Sequence, residues 1–150
     1  MSEMRSIVVE RTMPYEPERV WRALTDRAAL NQWLMPTDFV AEVGRRFTFK
    51  AKPMGDWDGM VFCHVIACEA PRLLSYTWVG GSENNEGYGS LLNSTVTWTL
   101  ARVAGGTRLR MEQAGFISPE NDFAYNGMGS GWPRIIERLE SVVAEQPAPV

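Results

Sequence analysis

The side chains in this chain with the greatest capacity for recognition are aromatic. Six Trp, six Phe and four Tyr occur in 150 residues. Phe49, Trp57, Phe62, Tyr76, Trp78, Trp98, Phe116 and Trp132 form a set spread from the middle of the chain to its last third. Large apolar side chains build cores, each contributing roughly 1.5–3 kcal/mol when fully buried. The same rings line cavities for apolar ligands. Met111 and Gln113 share one side of an alternating run with Leu109. A buried amide at Gln113 needs partners, because leaving it unpaired costs on the order of 1–3 kcal/mol. It either orients the polar end of a ligand or bonds to backbone or water, and the Tyr76 hydroxyl has the same two readings.

The remaining reactive residues are few and dispersed. His64 is the only histidine, and its neighbour Cys63 points the other way in any strand. The two therefore make neither a metal site nor a nucleophile–base pair. Cys63 and Cys68 lie five apart in one strand-like run. That odd spacing places them on opposite faces, which predicts free thiols rather than a disulfide and suits a reducing cytoplasm. Asp56 and Asp58 flank Trp57 in a Gly-bearing loop, where two carboxylates serve either acid–base chemistry or turn formation. The run Gly127-Met128-Gly129-Ser130-Gly131 is not a phosphate cradle, since no strand leads into it. No metal and no cofactor is expected.

The elements that position these residues are legible from periodicity. Ile7-Val8-Val9 opens a strand that Met13-Pro14 ends. Pro17 begins a helix carrying Val20, Trp21 and Leu24, and Asp26 caps a second short helix with Leu30, Trp33 and Leu34, stopped by Pro36. From residue 39 to 116 the pattern is strands and turns. Phe47-Thr48-Phe49-Lys50 alternates, residues 53–59 form a loop, and residues 60–68 make an apolar run. Leu74, Tyr76 and Trp78 share a strand face, and a polar loop covers residues 80–93. Val96, Trp98 and Leu100 oppose Thr95, Thr97 and Thr99, and Gly105-Gly106 turns this strand into a hairpin. Strict alternation marks an antiparallel sheet with one wet face. Trp132, Ile135, Ile136, Leu139, Val142 and Val143 then recur at helical spacing. Gly127, Gly129, Gly131 and Pro133 weaken the start of that helix, and residues 146–150 read as a disordered tail.

The order β-αα-β…β-α excludes a parallel α/β fold, because its strands are consecutive. One domain over residues 1–145 is expected: an α+β antiparallel sheet whose apolar face is covered by the long C-terminal helix. The formal charge of −3, with Lys and Arg scattered, gives nucleic acid no basic stripe to bind. No apolar stretch has the length of a membrane span or the form of a secretory signal, so a cytoplasmic location is expected.

Seven short words strengthen this reading. They are Val20-Trp21-Arg22-Ala23-Leu24-Thr25-Asp26, Trp57-Asp58-Gly59, Pro71-Arg72-Leu73-Leu74-Ser75-Tyr76-Thr77-Trp78, Thr95-Val96-Thr97-Trp98-Thr99-Leu100, Gly105-Gly106-Thr107, Gly115-Phe116 and Gly131-Trp132. In this order, from about residue 7 to 143, the chain resembles the START/Bet v 1-like helix-grip (SRPBCC) superfamily. The branch it is most similar to contains the C-terminal domain of the heat-shock-protein-90 ATPase activator. The resemblance implies six or seven antiparallel strands, two small helices closing one end, and a pocket under the long helix. It also implies a small-molecule or lipid binder or, in a minority of members, an enzyme. Three positions depart from the family pattern. Gln113 stands where members often carry His, removing imidazole chemistry there. Glu16 replaces a Ser-type cap, and Pro133 follows the Gly-Trp pair.

Three functions follow. The first is a binding module for an apolar small molecule, lipid-like or aromatic, lined by the eight aromatics with Met111, Gln113 and Met128. The second is a cyclase- or hydrolase-type enzyme on the same fold, which needs an acid–base pair that the sequence does not display. The third is a chaperone regulator, which needs an exposed partner surface. Gly127, Gly129 and Gly131 bear on the first, since residues without side chains leave room beneath a helix or let it pack closer. Treatment with a chelator or a reductant is expected to leave the thermal midpoint unchanged. A drop of several degrees with either would overturn the reading of His64 and the cysteines.

Overall fold

The computed structural model describes residues 3–146. The expected disordered tail falls, for residues 147–150, outside the described residues. The chain forms β1 (Glu3–Met13), α1 (Pro17–Thr25), α2 (Arg27–Trp33), β2 (Arg46–Lys50), β3 (Met60–Glu69), β4 (Leu73–Gly80), β5 (Leu92–Val103), β6 (Gly106–Ser118) and α3 (Asp122–Glu145). All six strands join one antiparallel sheet in the order β1-β6-β5-β4-β3-β2. The apolar face of this sheet is covered by α3 with α1 and α2, and the buried core lies between.

Alternation decides which side chains reach that core. In the β5–β6 hairpin, Trp98 pairs with Met111, Val96 with Gln113 and Leu100 with Leu109, and all six are buried. Two bulges then change the parity. In β6 the register slips at Gly115, whose φ of +115° suits a residue without a side chain. The slip turns Phe116 inward although it lies an odd number of residues from Gln113. In β3 the register slips between Val65 and Ala67, so that Cys68 pairs with Leu74 on the core face. This corrects the expectation for the cysteines: strict alternation separates Cys63 from Cys68, whereas the bulge returns both to the inner face. Both are free thiols, Cys63 buried and Cys68 half-buried. Burial pushes the Cys63 thiol well above its ordinary range.

The short helices form where the sequence indicates. Pro17 occupies the first turn of α1, and Glu16 makes no side-chain cap bond. Asp26 caps α2 by accepting from the Ala29 N–H at 2.9 Å. The outer edge of β2 is closed off by the preceding segment. Lys50 N donates to Pro36 O, and Thr48 N donates to the Asp38 carboxylate. That backbone bond holds the Asp38 carboxyl below its usual range.

The long helix is continuous through its three glycines and Pro133. A buried stripe of Trp132, Ile136, Leu139, Val142 and Val143 docks it, which overrides the weak propensity of its first half. Its last turn is bound by Arg19, whose guanidinium donates to the carbonyls of Val143, Ala144 and Gln146 at 2.8–3.2 Å. Its start is fixed by Asn121, which is 5% exposed. The Asn121 side chain accepts from Ile117 N and donates to Leu91 O, both at 2.9 Å. One amide thus ties the end of β6, the start of α3 and the loop before β5. Replacing it by Ala is expected to lower stability by about 1–3 kcal/mol in a denaturant titration, since two buried backbone groups lose their partner. A change below about 0.5 kcal/mol would show that water replaces the amide there.

Candidate functional site

The aromatic side chains of the inner face touch one another in series. Trp33 meets Trp98 with ring centroids 5.7 Å apart, Trp98 meets Trp132 at 5.7 Å, Trp132 meets Trp78 at 5.9 Å, and Trp78 meets Phe49 at 5.4 Å. Their tilted and edge-on geometries are the favourable ones for ring quadrupoles. Polar atoms inside this series satisfy each other. Trp98 Nε1 donates to the Tyr76 hydroxyl at 3.0 Å, and burial pushes the Tyr76 phenol above its ordinary range. Trp132 Nε1 donates to Gln113 Oε1 at 2.8 Å, Gln113 Nε2 donates to Ser94 Oγ at 3.0 Å, and Ser94 Oγ donates to Trp78 O at 2.9 Å. The Gln113 amide is therefore engaged by side chains of the helix and the sheet.

A cavity of about 400 Å³ lies beside this series, under the N-terminal half of α3. Its floor is Trp78, Val61 and Leu92 from the sheet, and Leu34 and Met35 close it from the end of α2. Its roof is α3, where Gly127, Met128, Gly131 and Trp132 face it. A Cβ added at Gly127 or Gly131 would meet nothing within 4 Å. The glycines thus leave open space rather than letting the helix settle onto the sheet.

The fourth wall consists of two loops, residues 51–59 and 81–91, that hold each other. Asn85 Nδ2 donates to Met54 O at 2.7 Å, and Asn85 Oδ1 accepts from Asp56 N at 3.1 Å. The Tyr88 hydroxyl donates to Lys52 O at 3.2 Å, and the Tyr88 ring stands 5.7 Å from that of Trp57. Gly81 lets the two ends of the second loop approach each other. Its φ is +96°, and a Cβ there would fall 2.1 Å from Ser90 O. Phe123, at the start of α3, lies against Gly87 across the mouth.

The expected site residues divide into three groups. Trp57, Trp78, Met128 and Trp132 line the cavity. Phe49, Tyr76, Trp98, Met111, Gln113 and Phe116 do not; each is at most 2% exposed and packed in the core behind it. Phe62 is corrected most sharply. It is 57% exposed on the outer face of the sheet, because its neighbours Val61 and Cys63 take the inner one. Leu34, Met35, Tyr88 and Phe123 were not anticipated. The signal available for the last two was a large ring standing in an otherwise polar stretch. His64 is exposed, and Asp58 accepts from Met60 N at 3.0 Å, which is turn chemistry. Among the described residues no group of three metal-ligating side chains converges, and no helix is long and apolar enough to cross a membrane.

Residues 14–144 match the family described as Activator of Hsp90 ATPase homolog 1-like protein. The crystal structure of protein MLL2253 from Mesorhizobium loti is 40% identical, with a TM-score of 0.82 over 95% of this chain and 99% of that one. The solution structure of protein BH1534 from Bacillus halodurans is 26% identical, with a TM-score of 0.74 over 95% and 99%. The crystal structure of Mll3558 from Rhizobium loti, at 20% identity and a TM-score of 0.78 over 95% and 99%, shares the fold. No curated protein matches the chain.

Trp132 is both core and cavity wall, so its two contributions are separable. Trp132→Ala is expected to destabilise by ~3–5 kcal/mol through loss of the ring. Trp132→Phe keeps most of the volume but leaves Gln113 Oε1 without its donor, and is expected to destabilise by ~1–3 kcal/mol. Denaturant titration checks both. A loss under about 1 kcal/mol for the Ala variant would mean that α3 is not held through this face.

Proposed function

The chain belongs to the Activator of Hsp90 ATPase homolog 1-like family, and from that premise we propose that it binds an apolar small molecule in the cavity under α3. The observation that carries the reading is the open space at Gly127 and Gly131, facing an apolar wall. A sequence that only required a stable helix would place side chains there, because each helical Gly costs about 1 kcal/mol relative to Ala. Here the glycines preserve a volume within the range of about 300–1,000 Å³ typical of ligand pockets. Among the described residues, none that lines the cavity is charged. Burial of each ligand methylene contributes ~0.8 kcal/mol, so eight to ten support micromolar affinity after the losses of association. The groups with raised pKa, Cys63, Cys68 and Tyr76, do not line the cavity, and burial favours the neutral form of each.

The experiment is saturable quenching or shift of tryptophan fluorescence by neutral apolar probes, decanol and an unsubstituted flavone. Gly131→Leu separates pocket from core. The new side chain enters the cavity, so the fluorescence response is expected to weaken at least tenfold, while helix propensity raises stability by about 0.5–1 kcal/mol. Equal binding by this variant and the parent would place the ligand elsewhere, and absence of binding by either probe would remove the proposal.

A further inference from the structure

We infer that the ligand is an organic cation: an apolar body carrying an amine or quaternary ammonium group, rather than a fatty acid. The inference rests on the pocket proposed above and concerns only the class of molecule it takes.

Two independent features point to positive charge. The first is the cavity wall. Trp57, Trp78, Tyr88 and Trp132 all line it, with Phe123 at its rim. Three of these rings have their polar atoms engaged elsewhere. Trp57 Nε1 donates to Met60 O, Trp132 Nε1 to Gln113 Oε1 and the Tyr88 hydroxyl to Lys52 O. With those donors engaged, the three rings offer the cavity aromatic carbon surface rather than a free N–H or O–H. Aromatic faces attract cations through their quadrupole, most strongly where water is excluded. A carboxylate in the same place finds no Lys, Arg or His among the lining residues.

The second is the charge of the two loops that form the mouth. Asp56, Asp58, Glu83 and Glu86 lie on residues 51–59 and 81–91 against a single cation, Lys52. The surplus of three negative charges equals the net charge of the whole chain, −3, so the remaining residues balance. Asp56 and Asp58 flank Trp57, and Glu86 precedes Gly87, both of which line the cavity. Asp56, Asp58 and Glu83 also border a second hollow on the outer face, which shares Trp57, Gly80 and Gly81 with the first. The field at the mouth raises the local concentration of cations and lowers that of anions.

The test compares decyltrimethylammonium, decanol and decanoate by isothermal titration at low ionic strength, below their micellar concentrations. The ammonium probe is expected to bind about 3- to 30-fold tighter than decanol, the range of a cation over aromatic faces, and decanoate weakest. Glu83→Gln/Glu86→Gln is expected to reduce the preference for the cation about twofold, and 0.5 M salt to do the same, because exposed charges are screened. Saturable binding of decanol with no advantage for the ammonium probe, or with decanoate tightest, overturns this inference and leaves the pocket reading standing. Failure of all three to bind removes both.

Discussion

The structure depends on one buried polar chain. Trp132 on the helix donates to Gln113 on β6, Gln113 to Ser94 on β5, and Ser94 to the Trp78 carbonyl on β4. Apolar contacts alone would hold α3 against the sheet but would tolerate sliding, since hydrophobic burial has no direction. Each bond in this chain has a fixed length and angle, and a buried group left without its partner is costly. The helix can therefore take only the position and rotation at which the indole N–H meets the amide. That rotation determines which face of α3 looks down on the sheet, and so where Gly127 and Gly131 point.

From that constraint the cavity follows. Below Trp132, larger residues of α3 seal the core: Ile136, Leu139 and Val143 are nearly inaccessible. Above it the helix carries glycine, its start is tied to β6 and to the loop before β5 by the Asn121 bonds, and the pair of stapled loops closes the remaining side. The space is thus not a packing defect in a loose region. It is bounded on one side by a fully bonded core and on the other by loops with their own hydrogen bonds. The tightly packed core lies on the side of α3 that carries Ile136, Leu139 and Val143, and the volume for a ligand on the side that carries Gly127 and Gly131.

Much of the fold was legible because its signals are local. The alternation of β5 and β6, the caps at Pro17 and Asp26, and the helical stripe ending in Val143 each involve neighbours within a few residues. The site was only partly legible. Trp57, Trp78, Met128 and Trp132 were expected and line the cavity, whereas Phe49, Trp98 and Met111 have the same character and sit behind it. Hydrophobicity states that a ring is buried, not whether the neighbouring volume is filled. Phe62 shows the complementary limit: a large apolar residue in an apolar run faces solvent because alternation outranks composition.

The sequence by itself determined the class of architecture, the strand faces within regular alternation and the absence of side chains on one stretch of the last helix. Those properties follow from short-range sterics and periodicity, which any segment carries with it. Only the tertiary structure decided the face of Cys68, through a bulge in β3. It also decided the partners of Gln113 and the meeting of residues 51–59 with residues 81–91 at the mouth. Bulges depend on how two strands compete for register, and a cavity depends on what several distant segments fail to fill. Neither quantity belongs to any one segment, which is why neither can be read from one.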